Sequence, residues 1–227
     1  IFSAAVSAEK LMFYFGDAPL SHSEGQNPQG IYFDIVTTVF DRMGISYEVE
    51  GLPFKRALHY AYEGQGIVVG IGATDERLSK LDFSANIYDS TVVAFVKNEK
   101  VFPFSSLEDL KGKTVATKLG WSYGAQFDQA RKNNLFSAID GKPSNNFQSM
   151  LLGRIDVFID NRLTGIKTMK ALNAESSITI LSYPIKVFPH YLGFKKGAHG
   201  KLIERFNQEL AAFKSDGGFE KVLSTYH

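Results

Sequence analysis

Gly66-Ile-Val-Val-Gly-Ile-Gly-Ala-Thr-Asp-Glu-Arg77, continued by Leu81-Asp-Phe-Ser84 and Tyr88, is the stretch on which the fold turns. The run from Gly66 to Gly70 is apolar and β-branched, which predicts a buried strand, and Gly70 and Gly72 then leave backbone amides and carbonyls open to close approach. Thr74 adds a hydroxyl and a backbone N–H, and Arg77 adds a planar fork of donors that matches the two oxygens of a carboxylate. Two readings of Arg77 stand side by side: a surface ion pair with Asp75, Glu76 or Asp82, or the grip on a small polar ligand held just past a buried strand.

Outward from this stretch, strand-like runs at 11–15, 45–49, 67–71, 92–96, 114–117, 157–159 and 178–181 alternate with helical patterns. That alternation predicts α/β architecture with largely parallel sheets. A first helix should begin near Asp34, as a cap, carry Ile35, Val36, Val39, Phe40 and Met43 on its apolar face, and end at Gly44. A second follows Pro53-Phe-Lys-Arg56 with Ala57, Leu58 and Ala61 and breaks at Gly64–Gly66. Beyond Lys97 the pattern restarts, and a last amphipathic helix places Ile203, Phe206, Leu210 and Phe213 on one face.

The 227 residues, 44% of them hydrophobic, suffice for one large or two small domains. A net charge of +1 with interleaved signs gives no basic face for nucleic acid and no cationic cluster for a membrane surface. The absence of cysteine excludes disulfides, thiolate metal sites and a cysteine nucleophile. No apolar run approaches the roughly 20 residues of a spanning helix. Val6-Ser-Ala8 before Glu9 reads either as the end of a secretory leader or as an ordinary terminus.

Nucleotide signatures are missing: Gly64-x-Gly66 lacks the third glycine of a dinucleotide loop, and there is no phosphate-cradling Gly-x-x-x-x-Gly-Lys-Ser/Thr. His22, His59, His190, His199 and His227 show no paired metal-ligand spacing, and no cofactor is expected. Ser122 can cap the helix carrying Tyr123, Phe127 and Ala130, and free N–H groups there favour an anion. Asp160 closes the apolar strand Val157-Phe-Ile159 at its carboxyl end, where it can either accept hydrogen bonds from an ammonium group or cap a helix starting near Asn161. Tyr14, Phe15, Phe54 and Trp121 are either core or the wall of a side-chain pocket.

Three blocks in order, Gly70–Arg77, Leu107-Glu-Asp-Leu-Lys-Gly-Lys-Thr-Val-Ala-Thr117 running into Gly120-Trp-Ser-Tyr123, and Leu151-Leu-Gly-Arg-Ile-Asp-Val-Phe-Ile-Asp160, resemble the periplasmic solute-binding proteins of amino-acid ABC importers, the small two-lobed kind. The resemblance runs from about Lys10 to Tyr226. It implies a type II periplasmic-binding-protein fold, with a discontinuous first lobe at 9–97 and 188–227, a second lobe at 98–187, and a ligand cleft closed by a hinge. It implies that Arg77 takes an α-carboxylate and Asp160 an α-amino group. Thr74, Gly72, Gly70, Ser122, Phe54, Trp121, Tyr14 and Asp17 join them as candidate ligand-binding residues, with Phe54 sandwiching the ligand.

The partners implied are a small amino acid or related carboxylate and, transiently, a membrane permease. The protein would be a monomer without a cofactor, exported through a signal peptide to the periplasm of a Gram-negative bacterium. The chain departs from the family at Asp17-Ala-Pro-Leu20, where an aromatic usually stands, at Gly70 and Gly72, where hydroxyl side chains are common, and at Asn86, a usual proline. Asp17 can recruit a cationic side chain or cap a turn. Two other functions use the same scaffold: an enzyme similar to cyclohexadienyl dehydratases, with Asp17, Glu24 or His190 as its acid, and a sensor module of a larger receptor.

Overall fold

Two compact units account for the chain, unit 1 comprising Ile1–Asp89 and Pro189–His227 and unit 2 comprising Ser90–Phe188. The computed structural model describes residues 8–14, 19–24 and 27–226. Asp17, Phe15 and the leader-like residues 1–7 therefore lie outside the described residues.

Unit 1 opens with strand β1 (Glu9–Tyr14), the short hairpin of β2 (His22–Glu24) and β3 (Asn27–Gln29), helix α1 (Ile31–Met43), strand β4 (Tyr47–Leu52) and helix α2 (Phe54–Glu63). Strand β5 (Ile67–Ile71), helix α3 (Asp75–Lys80) and strand β6 (Leu81–Phe83) follow, and β7 (Tyr88–Lys97) leads into unit 2. There the chain forms β8 (Thr114–Lys118), α4 (Ala125–Lys132), β9 (Ser137–Gly141), α5 (Pro143–Leu151), β10 (Val157–Asn161), α6 (Arg162–Ala171) and β11 (Ile178–Ile180). Strand β12 (Lys186–Lys195) returns to unit 1, which α7 (Gly200–Ser215) and α8 (Gly218–Ser224) complete.

Both sheets are mixed. In unit 1, β1 pairs parallel with β4 and β5, and the returning β12 pairs antiparallel with β5 and β6. In unit 2, β8 pairs parallel with β9 and β10, while β7 lies antiparallel to β10 and β11. The antiparallel members are the two strands that pass from one unit to the other. Local periodicity cannot show that, because it reports which faces are buried and not strand direction.

Why the strands read as continuous apolar runs is plain in unit 2. Val92, Ala94 and Val96 pack with Val115, Val157, Ile159, Tyr123, Phe127 and Phe136 in one cluster. Their alternates Val93 and Phe95 pack with Ala116, Phe158, Phe147, Met150 and Ile166 in another. Successive strand residues point to opposite faces, so a sheet covered on both faces needs apolar residues throughout. In unit 1, Ala57 and Ala61 of α2 pack with Met12, Leu52, Val68, Ile71 and Leu81, and α7 meets α1 with the Phe40 and Phe206 ring centroids 5.7 Å apart.

The starts of α1 and β4 are among the boundaries that differ from the sequence reading. Helix α1 starts at Ile31 after Gly30, so Asp34 lies in its first turn without capping it and instead accepts a hydrogen bond from the Tyr226 hydroxyl at 2.6 Å. Strand β4 begins at Tyr47 because Gly44 turns left-handed, at φ 64°, and the Ile45 N–H closes the helix on the Phe40 carbonyl. The β2–β3 hairpin and β9 have no counterpart in the sequence reading. Strand β9 is exposed over most of its length and lacks the alternation that marks a half-buried strand.

Candidate functional site

In unit 1 the candidate site is assembled at the carboxyl end of β5. Gly70 has φ 76°, and a Cβ there would lie 2.4 Å from Cδ2 of Tyr32, so only bare backbone lets the α1 tyrosine pack against it. The Gly70 carbonyl accepts the Tyr14 hydroxyl at 2.8 Å, and the Gly72 carbonyl accepts Arg77 Nη1 at 2.7 Å. Thr74 caps α3, its hydroxyl oxygen accepting the Arg77 backbone N–H at 3.3 Å. The Arg77 guanidinium also lies 5.2 Å from the Phe54 ring centroid, and Tyr14 meets Phe54 edge-on at 5.1 Å. Tyr14, Phe54, Gly70, Gly72, Thr74 and Arg77 are thus one connected set.

The surface ion pair considered for Arg77 does not form. Glu76 pairs with Lys80 at 3.5 Å, and Asp82 pairs with Lys196 at 3.2 Å while accepting the Gly197 N–H. That N–H, and then Lys196, hold the Asp82 carboxyl below its usual range. Among the described residues no carboxylate reaches Arg77, whose guanidinium is oriented by one carbonyl and one aromatic face.

Beneath this set is a residue that the sequence reading missed. Tyr32 is 1% exposed, and its ring centroid lies 6.0 Å from that of Tyr88 and 5.2 Å from that of His190. Its hydroxyl has no hydrogen-bond partner among the described residues. Burial, with Tyr14 and Tyr88 nearby, pushes the phenol well above its ordinary pKa, so it stays protonated. The signal available in the sequence was a tyrosine in the first turn of a helix that follows a glycine; only the fold brings it to Gly70.

In unit 2, Asp160 stands at the carboxyl end of β10 and is 1% exposed, with Oδ1 accepting the Asn161 N–H at 2.8 Å. The helix cap is Asn161. Its side-chain oxygen accepts from the Leu163 and Thr164 N–H groups at 3.0 and 3.3 Å, and its Nδ2 donates to Ser90 Oγ at 2.6 Å. Asp160 is thereby spared the capping role that spacing allowed it.

Trp121, Ser122 and Tyr123 share the turn that precedes α4. Ser122 does not cap this helix, whose first turn begins beyond Gly124; it donates to the Asp128 carboxylate and accepts the Gly124 N–H at 3.3 Å. Trp121 is 44% exposed, with Lys118 Nζ 3.8 Å from its ring centroid. Tyr123 is buried and accepts the Lys118 N–H at 2.9 Å; desolvation pushes its phenol up, and the nearby Asp160 charge adds to this. Beside it, Thr117 Oγ1 donates to Asp140 at 2.5 Å and Arg131 Nη2 does so at 2.6 Å, while the Asn146 amide donates to the Thr117 carbonyl at 3.0 Å. Arg131 first, and Thr117 second, hold the Asp140 carboxyl below its usual range.

Among the described residues no cluster of three or more His, Cys, Asp or Glu side chains could hold a metal ion, and no helix is long and apolar enough to cross a membrane.

Residues 14–227 match the model of the bacterial extracellular solute-binding proteins, family 3, and the chain belongs to that family. The L-cystine-binding protein TcyJ of Escherichia coli (strain K12) is 26% identical over 156 residues, 69% of this chain and 57% of that protein. The ABC transporter arginine-binding protein 1 of the same organism is 27% identical over 235 residues, 96% of this chain and 90% of that protein. A polar amino acid ABC uptake transporter substrate-binding protein from Streptococcus thermophilus superposes with a TM-score of 0.81 at 19% identity, covering 96% of this chain and 85% of that one. At that identity it shows a shared periplasmic-binding-protein-like α/β fold.

Proposed function

We propose that this chain captures a small amino acid, or a related small carboxylate, in the periplasm and hands it to an ABC importer. It does so as a monomer, without a cofactor and without changing the ligand. Arg77 takes the α-carboxylate and Asp160 the α-ammonium group. Phe54, Tyr14 and Trp121 contribute aromatic wall, and Gly70, Gly72, Thr74 and Ser122 contribute polar contacts. The observation that carries the reading is the Arg77 guanidinium, oriented by the Gly72 carbonyl and the Phe54 ring with no carboxylate among the described residues to neutralise it. An arginine so arranged meets a carboxylate bidentately. The buried Asp160 carboxylate supports the other half, since a zwitterion offers both charges. The names of the relatives, which bind cystine or arginine, support the ligand class.

A thermal-melt screen of refolded, ligand-stripped protein against L-amino acids and small dicarboxylates tests this, with Arg77→Ala alongside. A ligand at about 100 times its dissociation constant adds roughly 2.7 kcal/mol, or on the order of 5 to 10 °C for a chain of this size. The expected result is such a shift with at least one amino acid, abolished in Arg77→Ala, with the ligand recovered unchanged. Shifts that survive the substitution, or the absence of any, would overturn it.

A further inference from the structure

We infer that the Tyr32 hydroxyl determines specificity by hydrogen-bonding an acceptor on the bound amino acid's side chain, an inference that rests on the amino-acid reading above. Buried hydroxyls are ordinarily satisfied, because a polar group taken out of water without a partner is costly. Tyr32 is 1% exposed, and no described residue bonds its hydroxyl. The Tyr14 hydroxyl beside it is directed to the Gly70 carbonyl. The position of the ring is fixed by Gly70 on one side and by contacts with Tyr88 and His190. It therefore sits at the carboxyl end of β5, where open α/β sheets receive ligands and where Arg77 is anchored two residues further on, at Gly72.

The chemistry around it selects the class of side chain. Among the described residues, the groups shown beside it are the phenols of Tyr14 and Tyr88, the imidazole of His190 and, through Gly72, the Arg77 guanidinium, and none of these is a carboxylate. A phenol donor in such company suits an oxygen acceptor, that is an amide, hydroxyl or carboxylate side chain, and offers nothing to balance a guanidinium or ammonium.

Calorimetric titration of the full chain and of Tyr32→Phe with L-glutamine, L-serine, L-glutamate, L-leucine, L-arginine and L-lysine tests this. Tyr32→Phe keeps the ring contacts and removes only the hydroxyl. An acceptor-bearing ligand should bind best, and the substitution should weaken it about threefold to tenfold while leaving L-leucine within about twofold. The melting temperature of the ligand-free protein should not fall, because the hydroxyl has no partner among the described residues to lose. An equal effect on every ligand overturns the inference, as does a drop in ligand-free stability, which would mean that ordered water satisfies the hydroxyl. So does preferential binding of L-arginine or L-lysine that is lost in Asp17→Asn. If amino acids bind through Arg77 and Tyr32→Phe is silent, this inference alone fails; if no amino acid binds, both readings fall.

Discussion

Replacing Gly70 by alanine perturbs the candidate site at its base. Two terms set the magnitude. At φ 76° an L side chain costs about 1 to 2 kcal/mol. The added Cβ would also come to 2.4 Å from Cδ2 and 2.8 Å from Cε2 of Tyr32, closer than carbon atoms pack. The tyrosine cannot retreat freely, since it is 1% exposed with Tyr88 and His190 against it. Such overpacking costs about 1 to 3 kcal/mol, so the expected loss is about 2 to 5 kcal/mol, or roughly 5 to 15 °C in melting temperature for a chain of this length. Differential scanning calorimetry of Gly70→Ala, Tyr32→Ala and the double variant checks it. If the clash is real, the double variant is more stable than the sum of the two losses predicts, by about 1 to 3 kcal/mol. A Gly70→Ala protein within about 1 kcal/mol of the parent, or strictly additive losses, would refute the reasoning.

Two further outcomes follow from unit 2. Asn161→Ala removes the α6 cap and the partner of Ser90, and should lower stability by about 1 to 2 kcal/mol in thermal melts, whereas Asp160→Asn should leave the cap intact. Asp140 has a folded-state pKa held below its unfolded value by Arg131 and Thr117, so its stabilising effect is present above the unfolded carboxylate pKa of about 4 and is lost as pH falls through the folded value. Melts of the parent and Asp140→Asn should differ at neutral pH, begin to converge at about pH 4 and coincide once pH has fallen through the lower folded value; a difference that persists in stronger acid would show that the ion pair is not its source.

Much of the local arrangement of the candidate site was legible because the signals were local. Arg77 stands within a few residues of the strand and glycines that present it, and Thr74 caps the helix that carries it, so sequence spacing alone put them together. Asp160 at the end of an apolar strand was legible on the same grounds, but its competitor for the helix cap was its immediate neighbour, and only the backbone course of Asn161 decided between them. Tyr32 was illegible. Its relation to Gly70 depends on how α1 crosses the sheet, and the lack of a hydrogen-bond partner for its hydroxyl among the described residues is a property of the packed interior.

By itself, then, the sequence determined the alternation of strands and helices, the glycine stops after α1 and α2, and the order of motifs that marks the family. Those features arise from side-chain periodicity and backbone preference within a dozen residues. The tertiary structure alone decided which strands run antiparallel, that Tyr14 reaches a carbonyl 56 residues away, and that Tyr226 reaches Asp34 across 192 residues. The reason is physical: each contact is fixed by where whole elements come to rest when both faces of a sheet are covered, and one residue's neighbours in the chain do not report that.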